Sequence, residues 1–152
     1  MLRGGGKTAD KLYYLNKIMN GVELYWNIDL PKHFIFEHPV GTVLGKADYG
    51  DYLCVYQGVT VGANFRGEEC IWPSIGNHVT LYANATVIGN SKIGNYVIIG
   101  ANAFILNETV PDNSIVFGSS PDLLIRQYSK KEIEDKLIRI WEFREDKADD
   151  RQ

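Results

Sequence analysis

The stretch SIGNHVTLYANATVIGNSKIGNYVIIGANAFIL, Ser74 to Leu106, mixes branched aliphatics with Asn and Gly too finely for a helix or an ordinary strand. Within it, aliphatic side chains recur six apart at Ile75, Leu81, Val87, Ile93, Ile99 and Ile105. Four residues after each stands a small or β-branched side chain: Val79, Ala85, Ser91, Val97, Ala103 and Thr109. A period of six matches neither the 3.6 of a helix nor the 2 of a simple strand. It does match a short strand followed by a corner, repeated. Asn77, Asn84, Gly89, Asn90, Asn95 and Asn102 fall between the two columns, where a tight bend favours residues that tolerate positive φ.

Three such units close a triangular coil, and stacked coils pair their strands in parallel while burying the aliphatic column. Counting backwards in the same frame gives Leu30, Phe36, Thr42, Tyr49, Val55 and Val61 as inward residues, with one step of seven and a break at 63–74. About twelve units result, which is about four coils. Each buried aliphatic is worth roughly 1.5–3 kcal/mol, so stacked columns supply a core even in a thin prism.

The open ends of a prism need covers. TADKLYYLNKIMNG reads as an amphipathic helix with Leu12, Leu15, Ile18 and Met19 on one side and Asn20-Gly21 as its stop. Ser129 and Glu132 have the spacing of a capping box, ahead of Ile133, Leu137, Ile138, Ile140 and Trp141, and this second helix is expected to reach about Arg144. The chain therefore divides into an N-terminal helix and lead-in (1–28), the prism with its excursion at 63–74 (29–118), and a C-terminal helix with a charged tail (119–152). Long excursions from rigid repeats are where function tends to sit.

Composition narrows the classes of function. The 152 residues are 45% hydrophobic and 23% charged, with a formal net charge of −3, as in a globular domain. No basic run exceeds two residues, which argues against nucleic acid as a partner. No apolar run approaches the roughly 20 residues of a membrane span, and the first residues lack the apolar core of a signal peptide. Membrane insertion is not expected, and the cytoplasm is the expected compartment. Cys54 and Cys70 have no metal-ligand spacing and read as free thiols. The glycine run at 4–6 is a poor phosphate loop, since no strand precedes it and no Lys-Ser/Thr follows.

The hexad pattern resembles that of the left-handed parallel β-helix acyltransferases. The segment FIFEHPVGTVLGKADYGDYLCVYQGVTVG, Phe34 to Gly62, is similar to the part of the serine acetyltransferase family that carries its catalytic histidine, and PDNSIVFG to that family's exit turn. The resemblance implies an all-β, left-handed parallel β-helix with short terminal α-helices. It also implies acetyl transfer from acetyl-CoA without a metal, in a homotrimer with active sites between subunits. In length the chain looks closer to sugar acetyltransferases of surface-polysaccharide pathways, so a sugar or nucleotide sugar is the leading small-molecule acceptor. Serine is the alternative acceptor, and a non-catalytic trimeric assembly module the alternative role.

Residue by residue, the resemblance places the catalytic base at His38 and its acidic partner at Glu23. Glu37 and Trp72 fall at acceptor-binding positions, and Gly62, Ala63, Ala83 and Ala101 along the path of the donor's pantetheine arm. The backbone N–H of Gly62 is a candidate for stabilising an oxyanion, and Lys130, Lys131 and Arg126 for meeting a 3′-phosphate. Two positions depart from the family: Ile71 stands where it has an arginine for the serine carboxylate, and Trp72 where it has a second histidine. An imidazole with an ordinary pKa near 6.5 is mostly neutral at pH 7 and can accept a hydroxyl proton. His33 and His78 belong to no motif and read as surface corner residues. The three histidines also lack the arrangement of a gamma carbonic anhydrase zinc site.

Overall fold

A computed structural model describes residues 6–145 and the side chains of residues 8–137. The side chains expected from Ile138, Ile140 and Trp141, the charged tail, and Gly4 and Gly5 lie outside that range. The chain winds a left-handed parallel β-helix whose three faces follow one another along each coil. The first face holds Glu23–Leu24, Val43–Leu44, Thr60–Gly62, Thr86–Ile88 and Phe104–Leu106. Asp48–Tyr49, Ser74–Ile75, Lys92–Ile93 and Thr109–Val110 form the second. On the third are Phe34–Glu37, Leu53–Tyr56, Thr80–Leu81, Ile98–Ile99 and Ser114–Phe117.

The coils number about five, not four. The additional rung comes from within the lead-in, where Glu23 pairs with Val43 and Leu24 with Leu44. All six residues of the aliphatic column are at most 4% exposed. The second column holds from Val79 to Ala103 and then slips: Thr109, expected in it, is exposed, and Val110, 1% exposed, takes the aliphatic place beside Ile93. The cause is a corner one residue short, since Lys92 pairs with Thr109 whereas Ile88 pairs with Leu106. A similar offset makes Leu44, not Thr42, the partner of Val61 in the core. Thr42 is buried one step earlier, its hydroxyl donating to the Tyr56 carbonyl (2.9 Å).

Both terminal helices depart from the expected covers. Helix α1 (Gly6–Asn20) turns its apolar stripe outward, leaving Leu12, Leu15, Ile18 and Met19 at 50–80% exposure. Helix α2 (Lys130–Glu145) lies on the third face, where Ile133 and Leu137 pack with Ile98, Tyr82, Tyr96 and Ile115. Its capping box forms: the Ser129 N–H and hydroxyl both donate to Glu132 Oε2 (2.9 and 2.6 Å). A strand absent from the sequence reading, Leu124–Gln127, returns antiparallel along Ser114–Phe117, and Leu123 and Ile125 pack onto the end of the core. Among the described residues no helix is long and apolar enough to cross a membrane.

The excursion at 63–74 is a β-hairpin, Asn64–Arg66 against Glu69–Ile71, which leaves the coil between the first and second faces. Cys54 is buried, Cys70 is exposed on this hairpin, and neither forms a disulfide among the described residues.

Candidate active site

His38 ends a strand of the third face and opens the corner leading to the first. Its φ is 51°, its side chain is exposed, and its carbonyl accepts the Val40 N–H (2.7 Å). The coils above continue the same edge. Glu37 pairs with Tyr56, Val55 with Leu81, and Leu81 with Ile99, so that Gln57, Ala83 and Ala101 follow His38 in one vertical line. Backbone bonds fix the line: Asn84 N–H to the Gln57 carbonyl and Asn102 N–H to the Ala83 carbonyl, each 2.9 Å. Asn84 and Asn102 take the left-handed conformation here, as expected of corner residues. Two of the expected donor-binding positions, Ala83 and Ala101, thus share an edge with His38.

Gly62 and Ala63 do not share it. Gly62 ends a strand of the first face and Ala63 follows it, at the next corner, where the hairpin departs. A side chain at Gly62 would meet nothing within 4 Å, so its backbone is open to close approach.

Glu23 is not joined to His38. Its carboxylate accepts the Tyr13 hydroxyl (2.6 Å) and pairs with the Lys17 ammonium. Lys17 first, then Tyr13, holds that carboxyl below the usual carboxylate range. The Tyr13 phenol is pushed up to about 12, chiefly by burial and then by Glu23. The pair pins α1 to the lowest coil. Glu37 is half-buried beside Tyr56, whose phenol is raised mainly by burial.

Trp72 sits where the hairpin rejoins the second face, with the Lys46 ammonium 3.6 Å from its ring centroid. Lys46 was not anticipated; the two residues are distant in sequence and only coil stacking brings them together. Lys130 lies over the Tyr96 ring (5.1 Å) and pairs with Glu134 (3.7 Å), while Arg126 rides on the returning strand. Neither stands on the His38 line. Among the described residues no His, Cys, Asp and Glu gather as a metal site.

His33 and His78 belong to a feature that sequence reasoning missed. On the edge between the second and third faces, the rings of His33, Tyr52, His78 and Tyr96 stack at centroid spacings of 4.7, 4.5 and 4.6 Å. His33 also pairs through Nδ1 with Asp51 (2.9 Å). Burial between two tyrosines holds the His78 imidazole below its ordinary pKa. A signal existed: Tyr52, His78 and Tyr96 each directly follow an Asp or Asn at a corner.

With this geometry in view, comparison with known proteins defines the class. The family described as bacterial transferase hexapeptide (six repeats) matches residues 73–107. The serine acetyltransferase of Synechococcus elongatus is 35% identical over 83 residues, 54% of this chain and 34% of that protein. Entamoeba histolytica serine acetyltransferase isoform 3, solved in complex with cysteine, superposes with a TM-score of 0.63 at 31% identity, covering 82% of this chain and 44% of that one. The Neisseria gonorrhoeae serine acetyltransferase, solved in complex with serine, gives a TM-score of 0.70 at 27% identity, with 80% and 49% covered. The chain is a left-handed β-helix with the fold seen in serine acetyltransferases, and its residues 73–107 match the hexapeptide-repeat transferases. It spans about a third of the length of the curated relative and under half of the two solved chains.

Proposed function

We propose that this protein transfers the acetyl group of acetyl-CoA to a small hydroxyl acceptor, with His38 as the general base. The observation that carries the reading is the line of His38, Gln57, Ala83 and Ala101 along one exposed edge. There an imidazole at a corner is followed by Gln57 and then by the small side chains of Ala83 and Ala101, against which an extended thioester arm can lie. The neutral ring takes the acceptor's hydroxyl proton as the oxygen attacks the thioester carbonyl. Collapse of the tetrahedral intermediate expels the CoA sulfur, which recovers that proton from the imidazolium. Glu23 was expected to steady the ring, but its carboxylate is taken by Tyr13 and Lys17.

Serine is the acceptor this reading favours. The relatives are serine acetyltransferases, and two similar structures hold serine or cysteine. Nothing in the comparisons supports a role in polysaccharide synthesis. A sugar acceptor would have drawn on Trp72 as a stacking platform, yet an ammonium already stands over that ring.

The reading includes a homotrimer. His38 and the Trp72 hairpin occupy different edges of one prism, so a site containing both closes only where two copies meet. Gly62 and Ala63, beside the hairpin, would then reach the donor from the neighbouring copy.

Release of free CoA thiol with L-serine as acceptor tests the proposal. His38→Ala is expected to lower kcat by roughly 10²–10⁴-fold with the fold intact. Undiminished turnover would remove His38 from its role. Failure of the wild type to bind acetyl-CoA would favour the non-catalytic assembly module.

A further inference from the structure

Two cations beside the excursion, Lys46 and Arg66, have no carboxylate within ion-pair distance among the described residues. They differ in how they are held. Arg66 lies on a hairpin strand whose three residues are all exposed. Lys46 lies in a segment tied to the coil on both sides: the Gly45 N–H donates to the Val61 carbonyl (2.7 Å) and the Asp48 N–H to the Pro73 carbonyl (3.0 Å). The second bond joins the Lys46 segment to the residue after Trp72. Adjacent coils therefore hold ring and ammonium together, 3.6 Å from nitrogen to ring centroid.

An indole face attracts a cation electrostatically, which fixes where the ammonium rests. The ring does not satisfy all three N–H donors of that group, and those directed away from it remain for an acceptor. The surroundings decide which acceptor. Lys46 borders an open cleft on the second face, lined also by Asn27, Asp29, Asp48 and Ser74. Two carboxylates against one ammonium repel a dianion such as a phosphate. They suit a zwitterion, whose carboxylate meets Lys46 while its own ammonium stands near Asp29 or Asp48.

We infer that Lys46, seated on Trp72, is the residue that holds the carboxylate of an amino-acid acceptor. This rests on the reading of the protein as an acetyltransferase acting on a hydroxy amino acid. It makes Lys46 a binding residue that selects among acceptors, with no part in proton transfer.

The test compares the wild type, Lys46→Met and Lys46→Arg in acetyl transfer to L-serine and to L-serinamide, which lacks the negative charge. L-serine binding by calorimetry accompanies it. The wild type is expected to prefer L-serine about tenfold or more in kcat/KM. Lys46→Met, which keeps the length of the stem, is expected to raise KM for L-serine about tenfold and to abolish the preference, with kcat and the KM for acetyl-CoA little changed. Lys46→Arg is expected to keep most of it. Equal KM for L-serine in wild type and Lys46→Met would overturn the inference while leaving His38-dependent transfer standing. Lys46-dependent binding of L-serine by a protein that transfers no acetyl group would keep Lys46 as an amino-acid carboxylate site but overturn its role toward an acceptor, together with the enzymatic reading. Neither binding nor transfer would remove both.

Discussion

His38 occupies the left-handed region at φ 51°, a conformation that costs an ordinary L-residue about 1–2 kcal/mol. That strain is no mark of catalysis here. Tyr52, His78 and Tyr96 adopt the same conformation at the neighbouring edge, because the corner demands it. What distinguishes His38 is its place on the line with Ala83 and Ala101. Glu23 shows the opposite case, a residue chosen for chemistry that the fold uses as an anchor. Its folded pKa is depressed by Lys17 and Tyr13, so the ionised form contributes stability above the ordinary carboxylate pKa of about 4.3. That contribution is lost as pH falls through the folded value. Glu23→Gln is therefore expected to cost about 1 kcal/mol at pH 7, read by denaturant unfolding, with the gap to wild type closing in acid. Turnover should stay within about twofold. A loss of kcat like that of His38→Ala would instead restore Glu23 as the group that orients the ring.

At the scale of elements, the coils stack closely enough that particular columns tolerate only glycine. A Cβ built at Gly50 lies 2.4 Å from the backbone of Gly76, and one at Gly76 lies 2.6 Å from that of Gly94. Backbone held in a parallel ladder cannot step aside. Gly76→Ala is expected to destabilise by about 1–3 kcal/mol, seen as a lower Tm, whereas Gly62→Ala, with open space around it, should leave Tm nearly unchanged. If Gly62 lies against the donor as proposed, its variant should raise the KM for acetyl-CoA instead. The hexad made these coils legible from the sequence, because burial at a fixed period writes itself into residue type. Its failures are equally physical. The shortened corner before Thr109 and the offset at Thr42 change the register without changing composition. Likewise Asn77 and Asn95, expected to supply positive φ, leave it to His78 and Tyr96; their side-chain oxygens accept backbone N–H groups of the neighbouring coil instead, Asp51 to Asn77 and Asn77 to Asn95 (2.8 and 2.9 Å). In the proposed site, His38 is singled out by a motif. The Lys46–Trp72 contact and the partners of Glu23 depend on how coils and helix dock, which no local spacing encodes.

The whole molecule presents apolar side chains in a pattern that one prism does not account for. Ile18 is 80% exposed, Met19 and Phe65 are each 70%, and Val40, two residues from His38, is 69%. Single exposed apolar residues need no explanation, but a stripe along α1 running toward the corner at Val40 does; a side chain at Gly21, which ends α1, would stand 3.5 Å from Val40. In the trimer proposed above, the copy that buries this edge is the one whose hairpin, with Phe65 and Trp72, completes the site at His38. The same contact would then serve assembly and catalysis. Light scattering after size exclusion is expected to give three times the 17.2 kDa of one chain. Val40→Asp, which places a charge on that edge, should shift the mass toward a single chain and lower acetyl transfer in parallel, because the two halves of the site would part. A variant that loses the trimer but keeps full turnover would show that one prism is sufficient, and the shared site would have to be given up.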